Sequence, residues 1–233
     1  MRVVIAGGHG KIALLLQRHL VGRGDTAVGL IRNPEQTATL RAAGLIRNPE
    51  QTATLRAAGA TPVVCDLEHT PPEQVAEHLH GADAVVFAAG AGPGSGAARK
   101  DSVDRAAAAL LADAATRAGV HRYLLVSSMG VDTPPAPGTD DVWAAYLRAK
   151  RAAEDDLRGR DLAWTVLRPG RLTDDPPIGR VTLTPHAGSG AISRTDVAHV
   201  LAALLDEPRS TGATLELVDG PTPIAEAIRA AAR

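Results

Sequence analysis

The sequence contains few residues of several chemical types, and each shortage excludes a class of protein. Cys65 is the only cysteine, which excludes an intramolecular disulfide and favours a reducing compartment. No apolar run approaches the roughly 20 residues of a membrane-spanning helix, and the N-terminal segment lacks the pattern of a signal peptide. We therefore expect a cytoplasmic protein with no membrane partner.

Aromatic residues are also scarce, with two tyrosines, two tryptophans and one phenylalanine. Such a chain offers no aromatic platform for nucleic-acid bases. With a formal net charge of -1 and dispersed basic residues, it offers no footprint for a phosphate backbone either. No histidine or cysteine grouping has the spacing of a metal site. We expect a small-molecule partner, no nucleic acid and no metal.

Apolar segments of strand length alternate with helical patterns along most of the chain. The helical patterns lie near residues 11–22, 71–80, 101–118, 141–158 and 194–206. This alternation predicts an α/β fold: a Rossmann-type, doubly wound, mainly parallel sheet with helices on both faces, in one domain over residues 1–233. A Gly/Pro-rich connection at about 171–193 interrupts the rhythm, and we expect it to form a small substrate cap before the last helix, a strand near TLELV and a short C-terminal helix.

The first predicted strand runs into a glycine-rich turn that opens the first helix. Glycines at such a turn let backbone N–H groups approach a pyrophosphate at the helix N-terminus, and a small residue such as Ala13 permits close contact between helix and strand. This pattern at the first β-to-α turn predicts a dinucleotide site. Its expected members are Gly7, Gly8, His9, Gly10, Lys11 and Ile12.

The ends of the next three strands complete the predicted cofactor site. NAD sites usually carry an acid at the end of the second strand, whereas NADP sites carry a cation for the 2′-phosphate. Arg32 occupies this position, so NADP(H) is favoured over NAD(H). We expect Asp66 and Leu67 near the adenine after the third strand. Beside the cofactor, after the fourth strand, we expect Ala88, Ala89 and Gly90.

A fifteen-residue unit occurs twice in succession, at 29–43 and 44–58, without a difference between the copies. Each copy has its own helix-start and helix-end residues, namely Asn33 or Asn48, Pro34 or Pro49, and Gly44 or Gly59. We therefore expect two short helices joined by LIRN, with the extra unit absorbed at the sheet edge. If the second copy instead completes the second strand, Arg47 replaces Arg32.

Tyr146 and Lys150 are four residues apart on a predicted helix, which places both on one face. A nearby ammonium favours the phenolate form and prepares the tyrosine for proton transfer. Lysine is rare here, since Lys11, Lys100 and Lys150 are the only lysines among 25 basic residues, and each is expected where arginine would not serve. At the end of the fifth strand, Ser128 is favoured over Ser127 as the hydrogen-bond partner of a reacting carbonyl. If the functional position falls at Met129 instead, the Tyr146 and Lys150 pair has no serine beside it.

Together these motifs resemble the atypical short-chain dehydrogenase/reductase (SDR) superfamily, in particular its small NAD(P)H-binding or NmrA-like members. The segments GGHGKIA, GLIRNPE, VFAAGAG, SSMG, YLRAK and LRPGRLT occur in the order typical of that family. The resemblance implies Tyr146 as the acid, Lys150 as ribose ligand and charge partner of the tyrosine, and Ser128 as substrate orienter. Asp104 falls where many relatives with the full tetrad have asparagine, and it is the fourth candidate catalytic residue.

The leading hypothesis is an NADP(H)-dependent reductase of a small carbonyl compound with Tyr146 as proton donor. The alternatives are a non-catalytic NAD(P)H-binding sensor and a flavin or quinone reductase. The connection at 171–193 is too short for the substrate domain of an extended sugar-nucleotide epimerase, so that activity is discounted. A monomer and a homodimer are both compatible with the sequence.

Overall fold

The computed structural model of the chain describes residues 1–32, 56–92 and 94–232, in which strands and helices alternate. The strands are β1 (Arg2–Ala6), β2 (Thr26–Ile31), β3 (Thr61–Val64), β4 (Ala84–Phe87), β5 (Arg122–Val126), β6 (Ala163–Pro169), β7 (Arg171–Thr173), β8 (Arg180–Thr184), β9 (Ala191–Ser193), β10 (Ala213–Asp219) and β11 (Thr222–Pro223). The helices are α1 (Lys11–Gly22), α2 (Pro72–Leu79), α3 (Ala107–Arg117), α4 (Asp141–Arg158), α5 (Arg194–Leu205) and α6 (Ile224–Ala231). None of the helices in these three ranges has the length and apolarity to cross a membrane.

Nine strands form one sheet in the order β3-β2-β1-β4-β5-β6-β10-β8-β11. Neighbouring strands from β3 to β10 are parallel, whereas β8 is antiparallel to both β10 and β11. The predicted Rossmann-type, mainly parallel sheet is therefore confirmed. The chain reverses its direction of winding between β1 and β4, which places the crevice for a ligand at their carboxyl ends.

Both faces of the sheet are covered by helices. Along β1, Val3 and Ile5 pack on the side of α1, α5 and α6, and Val4 and Ala6 pack on the side of α2, α3 and α4. All four β1 side chains are fully buried. Burial on both faces explains why the central strands are unbroken apolar runs.

The connection at about 171–193, for which the sequence predicted a small substrate cap and no strands, contains three short strands. β7 and β9 form a small parallel pair, and β8 joins the main sheet beside β10. In β8, Val181 and Leu183 are buried and Thr182 and Thr184 are half-buried, which is the period-two pattern of a strand. The prolines and glycines on both sides of this short pattern obscured it in the sequence.

The described residues show which copy of the duplicated unit adjoins β2 and which one precedes β3. Gly29 to Ile31 of the first copy form the end of β2, and Arg32 of that copy follows the strand. Gly59, which directly follows the second copy, has φ +76° and donates its N–H to the Arg56 carbonyl at 2.9 Å, just before β3. The remainder of the two expected short helices, with Asn33, Pro34, Gly44, Arg47, Asn48 and Pro49, lies outside the described residues.

Candidate functional site

The glycine-rich turn between β1 and α1 brings three backbone segments into close contact. Gly7 has φ +74°, and a Cβ there would lie 2.6 Å from Ala89 Cα. A Cβ on Gly8 would lie 2.7 Å from Gly29 Cα, and Gly8 donates its N–H to the Leu30 carbonyl at 2.9 Å. The turn is therefore a fixed groove between β2 and the segment after β4, and only glycine fits at its two tightest points.

The N-terminus of α1 opens into this groove without a side-chain cap. Gly10 is the N-cap and makes no side-chain hydrogen bond to the helix, and the first turn carries no acidic residue. The first N–H groups of a helix have no partner within the helix, and its dipole is positive at this end. The arrangement suits a phosphate group.

The tight contact at Gly7 gives the first testable prediction. Gly7→Ala should destabilise the fold by about 1 to 3 kcal/mol more than Gly24→Ala, because overpacking adds to the cost of the left-handed backbone. Gly24 has φ +91°, and a Cβ there would meet no atom within 4 Å, so this position carries only the backbone cost. Urea unfolding measures the difference. Equal losses in the two variants would show that Ala89 does not confine the turn.

A cavity of about 270 Å³ follows the turn along the ends of β2, β3 and β4. The predicted cofactor residues that line it are Gly7, Gly8, His9, Gly10, Arg32, Asp66, Leu67, Ala88, Ala89 and Gly90. Lys11 is not among the residues that line this cavity. Its side chain is 66% exposed and forms an ion pair with Asp174, so its ammonium has a partner outside the groove.

Glu68 connects two arginines at the rim of this cavity, and sequence reasoning missed it. Its Oε2 lies 3.5 Å from Arg32 and 2.8 Å from Arg99, and its Oε1 accepts a hydrogen bond from Ser102 at 2.6 Å. A carboxylate thus occupies the point where two guanidinium groups meet. Glu68 lies two residues after Asp66, which was predicted to be near the adenine, and this proximity could have marked Glu68 as a candidate site residue.

A larger cavity of about 500 Å³ shares Ala88, Ala89 and Gly90 with the first one. Each of the four predicted catalytic residues lines it. Those residues are Asp104, Ser128, Tyr146 and Lys150, and the predicted cofactor residue Ile12 lies on the same wall. The fold therefore gathers residues from β5, α4 and the segment before α3 beside the dinucleotide groove.

Lys150 and Asp104 form a buried ion pair at the base of the larger cavity. Lys150 is 4% exposed and Asp104 is fully buried. Lys150 Nζ lies 3.3 Å from Asp104 Oδ1 and donates to the Val126 carbonyl at 3.0 Å. Asp104 Oδ2 accepts the Ala91 N–H at 3.2 Å, so the pair also anchors the segment after β4.

Two ammonium groups lie close to the Tyr146 ring. The ring centroid is 5.9 Å from Lys150 Nζ and 5.4 Å from Lys100 Nζ. The ring also stacks on Trp143 at 5.1 Å. Sequence reasoning singled out Lys150 but gave no role to Lys100 or Trp143, although the scarcity of both residue types was a usable signal.

The two adjacent serines after β5 have different surroundings. Ser127 is buried, and its hydroxyl donates to Glu154 Oε1 at 2.5 Å. Ser128 is half-buried, and among the described residues its hydroxyl bonds only to the neighbouring Met129 carbonyl, at 3.1 Å. Because Ser127 is held by a buried carboxylate, Ser128 is the serine whose hydroxyl can turn to a ligand in the cavity.

A cluster of charged residues around the buried Glu154 packs against Ser127 and holds it in place. Glu154 is fully buried and accepts hydrogen bonds from Arg168 Nε at 2.9 Å and from Arg158 at 2.7 Å. Burial alone would lower the pKa of Arg168, but hydrogen bonds to Glu154 and Asp132 outweigh it and raise that pKa above its ordinary value. The hydrogen bond from Arg168 holds the pKa of Asp132 below its usual range.

A π-helical segment, Lys100–Ala106, precedes α3, where the sequence predicted ordinary helix from residue 101. It directs Lys100 and Asp104 to the larger cavity, while Ser102 bonds to Glu68 at the smaller one. Such segments are rare in proteins and frequent at functional sites. Within the described ranges, no group of His, Cys, Asp or Glu residues could hold a metal ion.

Three comparisons place these features among known proteins. A profile of the NAD(P)H-binding family matches residues 7–208. A Bacillus subtilis (strain 168) protein named "Uncharacterized sugar epimerase YhfK" is 34% identical over 230 residues, which cover 98% of this chain and 99% of that protein.

Two solved structures have the same fold over nearly the whole chain. A Bacillus halodurans protein provisionally assigned as an NAD-dependent epimerase/dehydratase is 35% identical, with a TM-score of 0.84 and 99% of each chain covered. A short-chain dehydrogenase/reductase from Veillonella parvula in complex with NADP has a TM-score of 0.67 at 19% identity, covering 95% of this chain and 96% of that one. The second likeness shows the fold alone.

Proposed function

The chain belongs to the NAD(P)H-binding family, and on that premise we propose that it is an NADP(H)-dependent oxidoreductase that reduces a small carbonyl compound. One observation carries the proposal: Tyr146, Lys150 and Ser128 line a single cavity that shares a wall with the glycine-rich groove. In this proposal Tyr146 is the proton donor, and it would lie beside the reactive end of a bound dinucleotide.

The groove fits a dinucleotide in shape and charge. The uncapped N-terminus of α1 would hold the pyrophosphate. Gly7 and Gly8 let the turn pack directly on Ala89 and Gly29, where a Cβ would meet backbone, and so fix the turn beside that helix end. Lys150 and the shared wall at Ala88 to Gly90 would hold the nicotinamide riboside. When bound, the reduced cofactor supplies a hydride, and every other step falls to side chains of this chain.

In the proposed reaction, the carbonyl carbon receives the hydride and the carbonyl oxygen receives the phenolic proton of Tyr146. The carbonyl is reduced to an alcohol as the cofactor is oxidised. Ser128 would orient the carbonyl by donating its hydroxyl hydrogen to the oxygen. The ammonium of Lys150, held in place by Asp104 at 3.3 Å, would stabilise the tyrosinate that remains.

Cofactor choice gives the second prediction. Arg32→Ala should weaken NADPH binding about tenfold or more and change NADH binding little, since a charge-assisted hydrogen bond to the 2′-phosphate is lost. Glu68→Gln should strengthen NADPH binding, because it removes the carboxylate that competes for Arg32 and Arg99. Titrations followed by nicotinamide fluorescence measure both effects.

Arg18→Ala is the matched control, because Arg18 is an exposed residue of α1 outside both cavities. Arg18→Ala removes the same positive charge and leaves the side chains at the rim of the smaller cavity unchanged. If Arg32→Ala and Arg18→Ala change the ratio of NADPH to NADH affinity equally, Arg32 does not read the 2′-phosphate. An unchanged ratio in Glu68→Gln would argue that Glu68 lies away from the bound nucleotide.

The proposed activity is tested by NADPH oxidation in the presence of a panel of aldehydes and ketones. Turnover that depends on the carbonyl supports the reductase. Tight NADPH binding with no turnover over the panel would contradict it and favour the sensor. The Bacillus subtilis relative is named a sugar epimerase, so nucleotide sugars are included in the panel. Conversion of one nucleotide sugar into its epimer without net NADPH consumption would replace the reductase by an epimerase.

A further inference from the structure

The larger cavity is lined by four charged side chains among the described residues, and three of them have an assigned partner. Asp104 and Lys150 are paired at 3.3 Å. Asp140 caps the N-terminus of α4 by accepting the Trp143 N–H at 2.8 Å, where the helix dipole also offsets its charge. The fourth is Lys100.

Lys100 has no counter-ion within the part of the chain that the structure describes. Its ammonium donates to the Gly92 carbonyl at 2.9 Å and lies 5.4 Å from the Tyr146 ring centroid. It is half-buried, so the charge is partly removed from water. A partly desolvated ammonium with one neutral acceptor keeps two N–H donors for an anion.

Next to Lys100, the cavity offers a flat apolar surface. Trp143 is 50% exposed and stacks on Tyr146, so its free face is open to solvent. An exposed tryptophan is unusual in a chain with five aromatic residues. The larger apolar side chains in the rest of the lining are Ile12, Val126, Val142, Pro169 and Leu172. A planar apolar body would bury this surface on binding.

We propose that the substrate is an aryl or other planar carbonyl compound that carries a carboxylate, which Lys100 binds while Trp143 packs against the planar body. This inference rests on the proposed function, because it names the substrate class of that same cavity. The carboxylate would supply the counter-ion that Lys100 lacks among the residues that the structure describes. The carbonyl can then face Tyr146, because the Tyr146 ring is the neighbour of both Lys100 and Trp143.

The test uses two non-reacting probes of the same shape, 4-methylbenzoate and 4-methylbenzamide, in the presence of NADP+. Binding is followed by quenching of Trp143 fluorescence in a Trp164→Phe background. We expect the anion to bind about tenfold tighter than the amide, since it forms a charge-assisted hydrogen bond. Lys100→Met should abolish that preference, and Lys100→Arg should retain most of it.

Arg148→Met is the matched control, because it removes one positive charge from an exposed position on α4 outside the cavity. It should leave the preference for the anion unchanged. NADPH affinity and circular dichroism of each variant establish that the groove and the fold are intact. Lys100→Gln removes the same charge and replaces Lys100→Met in the test if that variant proves unstable.

Turnover is measured separately with 4-carboxybenzaldehyde and its neutral methyl ester. Equal or undetectable binding of the two probes to the wild-type protein overturns the inference, and so does a preference that survives in Lys100→Met. Reduction of the ester but not of the acid also overturns it and leaves the proposed reductase standing. A Lys100-dependent preference for the anion without turnover of either aldehyde supports the inference and counts against the proposed reductase alone.

Discussion

Tyr146→Phe is expected to lower kcat/KM for carbonyl reduction by about 10² to 10⁴-fold, because a positioned general acid contributes a factor of that size. The ring remains to stack on Trp143 and to face Lys100 and Lys150. NADPH affinity should therefore stay within about twofold. Steady-state kinetics with the best carbonyl substrate and an NADPH titration measure the two effects.

The chain contains one other tyrosine, which provides the control. Tyr123 is buried in β5, and its hydroxyl donates to the Ala108 carbonyl at 3.2 Å, where burial raises its pKa. Tyr123→Phe should cost about 1 kcal/mol of stability and leave kcat/KM nearly unchanged. Turnover by Tyr146→Phe at the rate of the Tyr123→Phe variant would remove Tyr146 from the proton-transfer step.

Glu154→Ala is expected to destabilise the fold by about 3 to 5 kcal/mol, because it removes the buried carboxylate beside the Arg168 guanidinium and leaves that group paired with the exposed Asp132. Glu154 is fully buried, Arg168 is 3% exposed, and Ser127 loses its acceptor in the same variant. Since Ser127 precedes Ser128, the loss should also reduce turnover. Equilibrium unfolding in urea gives the free energy.

Asp155→Ala changes the adjacent carboxylate of α4 and serves as the control. Asp155 is exposed and pairs with Arg151 and Arg158 at the surface, each at 2.9 Å, so its removal should cost about 0 to 1 kcal/mol. Combining Glu154→Leu with Arg168→Leu should recover part of the stability, because neither charge is then left alone. A loss in Glu154→Ala no larger than in Asp155→Ala would show that the buried pair is not essential.

The sequence was sufficient to predict the class of fold and to predict which candidate site residues lie near one another. The alternation of apolar runs with helical patterns predicted the parallel sheet, and the profile match and solved structures confirm the resemblance to atypical SDR proteins. Spacing placed Tyr146 and Lys150 on one face of α4. The rule that ligands bind beyond the carboxyl ends of parallel strands explains why residues after β1, β4 and β5 meet there.

What the sequence did not reveal depends on contacts between distant segments. β8 pairs with β10 only after the chain has folded back, so its short alternating pattern could not be distinguished among the flanking prolines and glycines. The choice between Ser127 and Ser128 depends on Glu154, 27 residues away from Ser127. Glu68 and Arg99 meet at 2.8 Å across 31 residues of sequence. None of these pairs has a local signature.

The central claim is that a hydride passes from the cofactor to a carbonyl carbon in the cavity lined by Tyr146. It is tested most directly with NADPH that carries two deuterium atoms on the nicotinamide carbon from which the hydride leaves, incubated with 4-carboxybenzaldehyde and the wild-type protein. Mass spectrometry of the product should find one deuterium on the new alcohol carbon for each NADPH oxidised, and Tyr146→Phe should slow its appearance by at least about 10²-fold. NADPH that binds yet keeps all its deuterium, with no labelled alcohol from any carbonyl of the panel, would contradict the account.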